Sequence, residues 1–152
     1  MAALREEVRP VARLTPVDGW SNVWSMQAIV VITSVGTEEQ ANLIAREMVA
    51  RRHAACVNIV PGVRSVYRWQ GKICQDGELL LVIKTTSEEF PAVAQTIQEL
   101  HSYELPEVLA FQVTKGEQRF LDWIAGSVDK TALFEDEDDE DDPQELAFDD
   151  AD

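Results

Sequence analysis

The residues best suited to metal chemistry follow the second predicted helix. Glu104 and Glu107 come within six positions of His101, and Pro106 restricts the backbone between the two carboxylates. An imidazole nitrogen beside carboxylate oxygens suits a borderline divalent ion such as Cu²⁺ or Zn²⁺. The structural alternative is that His101 caps the helix, because an imidazole at a helix C-terminus can bond the last carbonyls and interacts favourably with the helix dipole.

The two cysteines are further candidate donors, but strand geometry separates them. If the central hairpin turns at Gln70-Gly71, the residue numbers of two residues that face each other across it add up to about 141. Cys74 then lies opposite Tyr67. Cys56 then lies about eleven residues, or about 35 Å, along the strand, so the two sulfurs cannot share an ion or a disulfide within one chain. We interpret Cys56 as a small core residue. Cys74, nearer the hairpin tip, remains a candidate metal donor, and donors from several subunits could still meet.

A second set of candidate residues lies on the predicted hairpin. Tyr67 and Trp69 share one face of the strand, Arg64 and Arg68 share the other, and Lys72 faces Trp69. Aromatic rings with nearby cations could hold an anionic effector at a subunit cleft, or they could pack at a subunit interface, where such residues are enriched. The candidates for this cleft or interface are Arg64, Tyr67, Arg68, Trp69, Lys72, Lys84 and Tyr103.

Charged residues are distributed unevenly along the 152-residue chain. The formal net charge is −15, but residues 135–152 hold twelve acids and no base, whereas residues 1–134 hold sixteen acids and thirteen bases. This near balance argues against nucleic-acid binding, and the absence of a long apolar run argues against a membrane span. We expect a flexible N-terminal extension over residues 1–26, one domain over 27–130 and a disordered acidic tail over 131–152. Two cysteines and no secretory signal predict a reducing compartment, with the cytoplasm as the default.

The periodicity of the central region predicts an α+β, ferredoxin-like β-α-β-β-α-β sandwich with an extended central hairpin and a short C-terminal helix. Thr37-x-x-Gln40 and Thr86-x-x-Glu89 are read as capping boxes, and Asp76-Gly77 as a β-bulge. The predicted strands are 28–32, 56–70, 72–84 and 108–114. The first two helices are predicted to begin at the capping boxes and to end near Arg52 and Leu100. A last predicted helix carries Phe120, Trp123 and Ile124.

This fold places both long helices on one face of the sheet and leaves the other face bare. Residues 79–83 are apolar throughout, so they present apolar side chains to both faces. We therefore expect other copies of the chain to cover the bare face. The alternative is a monomer in which the N-terminal extension or the C-terminal helix covers it.

Four motifs in this order resemble the CutA divalent-cation-tolerance family. They are Ala54-Ala-Cys56-Val-Asn58-Ile, Pro61-Gly-Val-x-Ser65-x-Tyr67-x-Trp69-x-Gly71-Lys, Glu78-x-Leu-Leu-x-Ile-Lys84-Thr and His101-x-Tyr103-Glu104-x-Pro106-Glu107. The resemblance covers about residues 27–125. It implies a ferredoxin-like subunit in a very stable homotrimer related to the PII proteins, with copper or other divalent-metal binding. His53 stands where the family tends to have leucine.

These observations predict a non-enzymatic homotrimer that binds divalent metal ions, copper among them, and serves divalent-cation tolerance. His101, Glu104, Glu107 and Cys74 are its candidate donors, and no ion is expected to be essential for folding. The alternative is a PII-like signalling or scaffolding trimer whose intersubunit clefts bind an anionic metabolite or a protein. An enzyme is the least supported class, because no nucleophile has an evident neighbouring base and no phosphate loop is present.

Overall fold

The computed structural model describes residues 27–131 and contains a four-stranded sheet with three helices. The sheet order is β2-β3-β1-β4, and every neighbouring pair is antiparallel. The predicted ferredoxin-like β-α-β-β-α-β fold with a terminal helix is confirmed. The elements are β1 (Ala28–Val35), α1 (Glu38–Ala50), β2 (Cys56–Trp69), β3 (Lys72–Thr86), a 3₁₀ turn (Ser87–Glu89), α2 (Phe90–Leu100), β4 (Leu109–Gln112) and α3 (Gln118–Val128).

The hydrophobic core lies between the sheet and the two long helices. Alternate residues of β1 and β3, such as Val31, Leu81 and Ile83, are fully buried against Ile44 of α1 and Ile97 of α2. Strand side chains alternate between faces and helix side chains recur every three or four residues, so each element contributes one apolar stripe to this layer. The sequence pattern predicted this arrangement correctly.

The other face of the sheet, which we call the open face, is only partly covered. The helix α3 covers one end of it, where Ile124 packs on Ala28 and Ala55. Phe120 and Trp123, which the sequence places on the same helix as Ile124, are about half exposed. Farther along, the open face carries apolar side chains that are partly or largely exposed: Val30, Ile32, Leu80, Val82, Leu109 and Phe111.

The predicted bulge at Asp76-Gly77 is wrong. Both residues pair without interruption, Asp76 with Ser65 and Gly77 with Arg64, and the register shifts instead on the facing strand between Val60 and Val63. Pro61 has no amide hydrogen to donate to the ladder, and Gly62 adopts a positive φ of 74°, so this dipeptide is where the strand departs from regular pairing.

Of the two predicted capping boxes, only the first has an N-cap side chain that accepts a hydrogen bond from the helix backbone. The Thr37 hydroxyl accepts a hydrogen bond from the Gln40 amide at 3.2 Å. Thr86 makes no side-chain cap bond, and a 3₁₀ turn separates it from α2, which begins at Phe90. The second capping box is therefore wrong, because Glu89 turns its carboxylate to Lys130, with His53 Nδ1 3.4 Å away, instead of to the backbone.

The predictions for the two ends of the chain, the flexible extension over 1–26 and the disordered acidic tail over 131–152, lie outside the described residues apart from position 131.

Candidate functional site

A cavity of about 570 Å³ opens beside the long hairpin, on the same side of the sheet as the open face. Three strands and the loop after α2 supply its walls. Four of its lining residues are acidic and none is a lysine or arginine. The lining residues are Ser34, Ser65, Tyr67, Trp69, Asp76, Glu78, Tyr103, Glu104, Leu105 and Glu107.

Hydroxyl groups of the cavity donate to its carboxylates. Tyr103 donates to Glu78 Oε2 at 3.0 Å, and Tyr67 donates to Asp76. A third contact joins the Ser34 hydroxyl to Glu107 Oε2 at 3.3 Å. The proton of each hydroxyl is then held by a carboxylate, so each of these hydroxyl oxygens presents lone pairs to the cavity.

Both tyrosines ionise with difficulty. The hydrogen bond to Asp76 is the main reason that the pKa of Tyr67 rises from 10.0 to about 12. For Tyr103, burial is the larger cause and the hydrogen bond to Glu78 the second, and together they raise its pKa to about 12. A phenolate beside a carboxylate would lose the shared proton and face a like charge. The two hydroxyls therefore stay protonated donors across the physiological range.

His101 ends α2 and is almost completely buried, with 8% of its surface exposed. Its Nδ1 accepts a 3.0 Å hydrogen bond from the Tyr103 amide, so in the neutral ring Nε2 carries the proton and donates to the Ser34 carbonyl at 2.8 Å. The ring also lies 4.6 Å from the Tyr103 ring. A metal ion could use either nitrogen only by displacing one of these bonds.

Gln40 fixes the same loop from the other side. Its Nε2 donates to the Leu100 carbonyl at 2.7 Å, and its Oε1 accepts from the Ser102 amide at 3.1 Å. The side chain that a capping box would turn back to Thr37 therefore binds the start of the loop instead. With His101, it holds the segment that carries Tyr103 and Glu104 into the cavity.

The candidate metal donors are only partly brought together. Glu104 and Glu107 line the cavity, whereas His101 lies behind its wall and Cys74 pairs with Tyr67 at the hairpin, its sulfur 3.9 Å from the Lys72 carbonyl. Within residues 27–131, no group of three or more His, Cys, Asp or Glu side chains converges closely enough to hold a metal ion. The metal site stays a prediction.

The candidate cleft residues separate in the same way. Tyr67, Trp69 and Tyr103 line the cavity. Arg64 and Arg68 alternate with the aromatic residues along β2 and lie on the opposite face, as predicted. Lys72 pairs with Trp69, also as predicted, but neither it nor Lys84, which donates to Asn58, is among the lining residues.

Comparison with known proteins places this architecture in a family. The family described as "CutA1 divalent ion tolerance protein" matches residues 29–127. The chain belongs to the CutA1 family. It is 48% identical over 99 residues to the divalent-cation tolerance protein CutA of Thermus thermophilus, a match that covers 65% of this chain and 95% of that protein.

Two other CutA1 relatives differ in length and compartment. A protein of Arabidopsis thaliana named "Protein CutA, chloroplastic" is 39% identical over 103 residues, which cover 68% of this chain and 57% of that protein. The solved structure of a CutA from Archaeoglobus fulgidus, described as periplasmic, superposes with a TM-score of 0.65 at 35% identity and covers 66% of this chain and 98% of that one. Because these names give different compartments, cytoplasmic location stays a prediction.

No helix within residues 27–131 is long and apolar enough to cross a membrane.

Sequence reasoning missed two of the most important cavity residues of this CutA1 chain, Asp76 and Glu78. The signal was present: the facing positions that sum to 141 place Asp76 opposite Ser65 and Glu78 opposite Val63, on the same face as Tyr67. Extended along β3 without the predicted bulge at Asp76-Gly77, the same rule places both carboxylates on the face of the hairpin that carries Tyr67 and Trp69.

Proposed function

We propose that this chain assembles into a homotrimer that binds divalent metal ions, copper among them, and contributes to divalent-cation tolerance. The observation that carries the proposal is the charge of the cavity, where Asp76, Glu78, Glu104 and Glu107 occur with no lysine or arginine in the lining. Four carboxylates around one cavity attract divalent cations. The name of the Thermus thermophilus relative, divalent-cation tolerance protein, supports the same function.

The donor set favours a loosely held ion. Carboxylate and hydroxyl oxygens are hard ligands, and ions that retain part of their water shell can bridge donors that do not converge on one point. Tighter binding of copper would require the His101 or Cys74 side chain, or donors from a second chain. We therefore assign Glu104 and Glu107 as the principal ligands. Whether His101 and Cys74 also bind the ion is a question for the experiment below.

The homotrimer is proposed from uncovered apolar surface. Leu109 and Phe111 on the open face are 50% and 54% exposed, and Val66 and Ile73 near the hairpin tip are more exposed still. A monomer rarely leaves so much apolar surface on one sheet in water, and a closed ring of identical subunits could bury it. The long hairpin, whose residues near the turn are largely exposed, is the element that we expect to contact a neighbour.

Calorimetric titration of the full chain with Cu²⁺ tests the metal assignment. We expect Glu104→Gln/Glu107→Gln to lower the site-specific heat and affinity, while the charge-matched control Glu38→Gln/Glu39→Gln, on exposed acids at the start of α1, leaves both unchanged. The twelve acids of residues 135–152 give the same background in every variant. His101→Asn and Cys74→Ser complete the set. Equal heats for both double variants would reject the cavity as the metal site.

The alternative of an anionic effector has less support. An anionic metabolite in this cavity would face four carboxylates, and Arg64 and Arg68 point to the other side of the hairpin. A role as a scaffold and the absence of catalysis both remain predictions. A thermal-shift screen of nucleotides and organic acids tests the effector: stabilisation that Arg64→Ala or Lys72→Ala removes would favour it over metal binding.

A further inference from the structure

The end of α1 presents a basic surface. Residues 46–53 hold three arginines and one glutamate, and that glutamate is held by one of the arginines, Arg51, at 2.7 Å. Arg46, Val49 and Arg52 follow one another at intervals of three residues, which places them close together at the C-terminal end of the helix. Arg46 is exposed, and Val49 is 45% exposed. We call these three residues the α1 patch.

The α1 patch lies away from the surface that we expect neighbouring copies to cover. The buried residues of α1, Ala41, Ile44, Ala45 and Met48, face the sheet and the core. The patch is on the solvent side of the same helix, whereas the acidic cavity and the open face lie across the sheet. What binds the patch is therefore independent of both the trimer and the proposed metal function.

The segment after α3 is held beside this patch. Lys130 donates to both carboxylate oxygens of Glu89, at 3.2 and 3.0 Å. The same carboxylate lies 3.4 Å from Nδ1 of His53, which directly follows Arg52. Residues 132–152 therefore begin next to the C-terminal end of α1.

The residues that follow match the patch in polarity and charge. Leu133 and Phe134 come first, and residues 135–142 are eight consecutive acids. The patch is about 9 Å long along the helix, whereas the eleven residues 132–142 can span up to about 36 Å when extended. This segment can therefore reach the whole patch of its own chain.

We propose that residues 132–142 dock on the α1 patch of their own chain. Phe134 packs on Val49, and the acidic run lies along Arg46 and Arg52, because arginine forms charge-assisted hydrogen bonds with carboxylates. A short tether gives an effective concentration in the millimolar range, so a contact that is weak between separate molecules is populated within one chain.

The test is carbodiimide cross-linking of the full chain that carries Arg46→Lys. This substitution keeps the charge and supplies an amine that forms an amide with a nearby carboxylate. Mass spectrometry of the peptides should find residue 46 joined to the run 135–142 in at least fivefold higher yield than residue 119 in the control Arg119→Lys. The Arg119 side chain is 92% exposed and lies about 14 Å from the end of α3. Acetylation of the two amines corrects both yields for accessibility.

Two further substitutions, each made in the Arg46→Lys chain, test the contacts separately. Arg52→Gln and Phe134→Ser should each lower the yield at residue 46 at least threefold. Circular dichroism confirms that Arg52→Gln folds, and Phe134→Ser, which alters no described residue, tests the contact independently if it does not. Raising NaCl from about 0.05 M to about 1 M should also lower the yield, because the Debye length falls to about 3 Å.

Denaturing gel electrophoresis shows which chain supplies the acidic run. A cross-linked product with the mass of one chain, 17.0 kDa, is expected. A product with the mass of two chains would place the run on a neighbouring copy and overturn the proposal. Equal corrected yields at residues 46 and 119, or a yield that neither salt nor the two further substitutions lower, would overturn it as well.

Discussion

The Tyr103 hydroxyl donates a 3.0 Å hydrogen bond to Oε2 of Glu78, a residue 25 positions earlier in the chain. The contact joins the loop after α2 to the middle of the hairpin and closes one wall of the cavity. It depends on His101, which holds the Tyr103 amide, and on Gly36, where an added methyl group would lie 3.0 Å from the Tyr103 oxygen. The acidic cavity is therefore set by residues from three separate segments.

Alkaline titration should detect the two cavity hydroxyls directly, because Tyr67 and Tyr103 are the only tyrosines in the chain. Both have a folded pKa raised to about 12 above the ordinary value of 10.0. A raised pKa contributes stability that is fully present below pH 10 and is lost as the pH rises towards 12. We expect phenolate absorbance near 295 nm to appear above pH 11 in the folded protein and near pH 10 in denaturant.

Asp76→Asn provides the matching variant for this titration. It removes the charged acceptor of the Tyr67 hydroxyl, so the pKa of Tyr67 should fall towards 10 while Tyr103 still titrates late. Titration of both tyrosines near pH 10 in the folded wild type would contradict the hydrogen-bonded cavity.

Gly36→Ala should disturb the Tyr103 contact. The added methyl group would lie 3.0 Å from the hydroxyl oxygen, so the tyrosine must move away from Glu78. We expect a loss of about 1 kcal/mol in the free energy of unfolding and a lower pKa for Tyr103. Gly126→Ala is the control: its methyl group meets nothing within 4 Å, so this helical position should gain up to about 1 kcal/mol. Equal effects at both glycines would argue against the steric account.

Thr33→Val should stabilise the protein. The Thr33 hydroxyl is fully buried in β1 and, among the described residues, has no hydrogen-bond partner. Valine has nearly the same shape and removes this unsatisfied group, so urea unfolding should show a gain of about 1 kcal/mol.

Thr37→Val should instead lower the free energy of unfolding. Thr37 caps α1 by accepting from the Gln40 amide, and loss of an N-cap costs about 1 kcal/mol. A destabilised Thr33→Val would indicate that its hydroxyl has a partner.

His101→Ala should destabilise the protein by about 2 to 4 kcal/mol, because the Ser34 carbonyl and the Tyr103 amide both lose a buried partner. His101→Asn can keep an acceptor near Nδ1 and should lose less. Chemical denaturation measures both, and the titration described above reports the accompanying fall in the pKa of Tyr103. An alanine variant as stable as the wild type would show that His101 does not fix the loop.

Phe111→Asp should dissociate the proposed trimer. A carboxylate on the open face cannot be buried against a neighbour without a partner charge. Sedimentation equilibrium should then give a mass near one chain of 17.0 kDa, whereas the wild type should give three. Leu43→Asp, on an exposed position of α1, is the control and should stay trimeric. A monomeric wild type at micromolar concentration would reject the assembly.

The sequence by itself determined the elements and their order, because both depend on local patterns. The alternating β2 and β3 residues and the turn at Gln70-Gly71 predicted the facing pair Tyr67 and Cys74, which the structure confirms. The helical spacing likewise predicted that Ile44 and Ile97 enter the core, whereas Phe120 and Trp123 of the last helix are about half exposed. One slip in registration would move every side chain to the wrong face, so a hairpin with a defined turn encodes its register strongly.

The tertiary structure alone decided how the chemically active residues are used. Spacing grouped His101 with Glu104 and Glu107, but the fold turns His101 towards the Ser34 carbonyl, 67 positions away, and brings Glu78 and Asp76 to the carboxylates instead. Hydrogen bonds between distant segments depend on how the loop after α2 lies over the sheet. Local periodicity cannot predict that placement. Proximity in sequence therefore identified only Glu104 and Glu107, two of the four acidic residues that line the cavity.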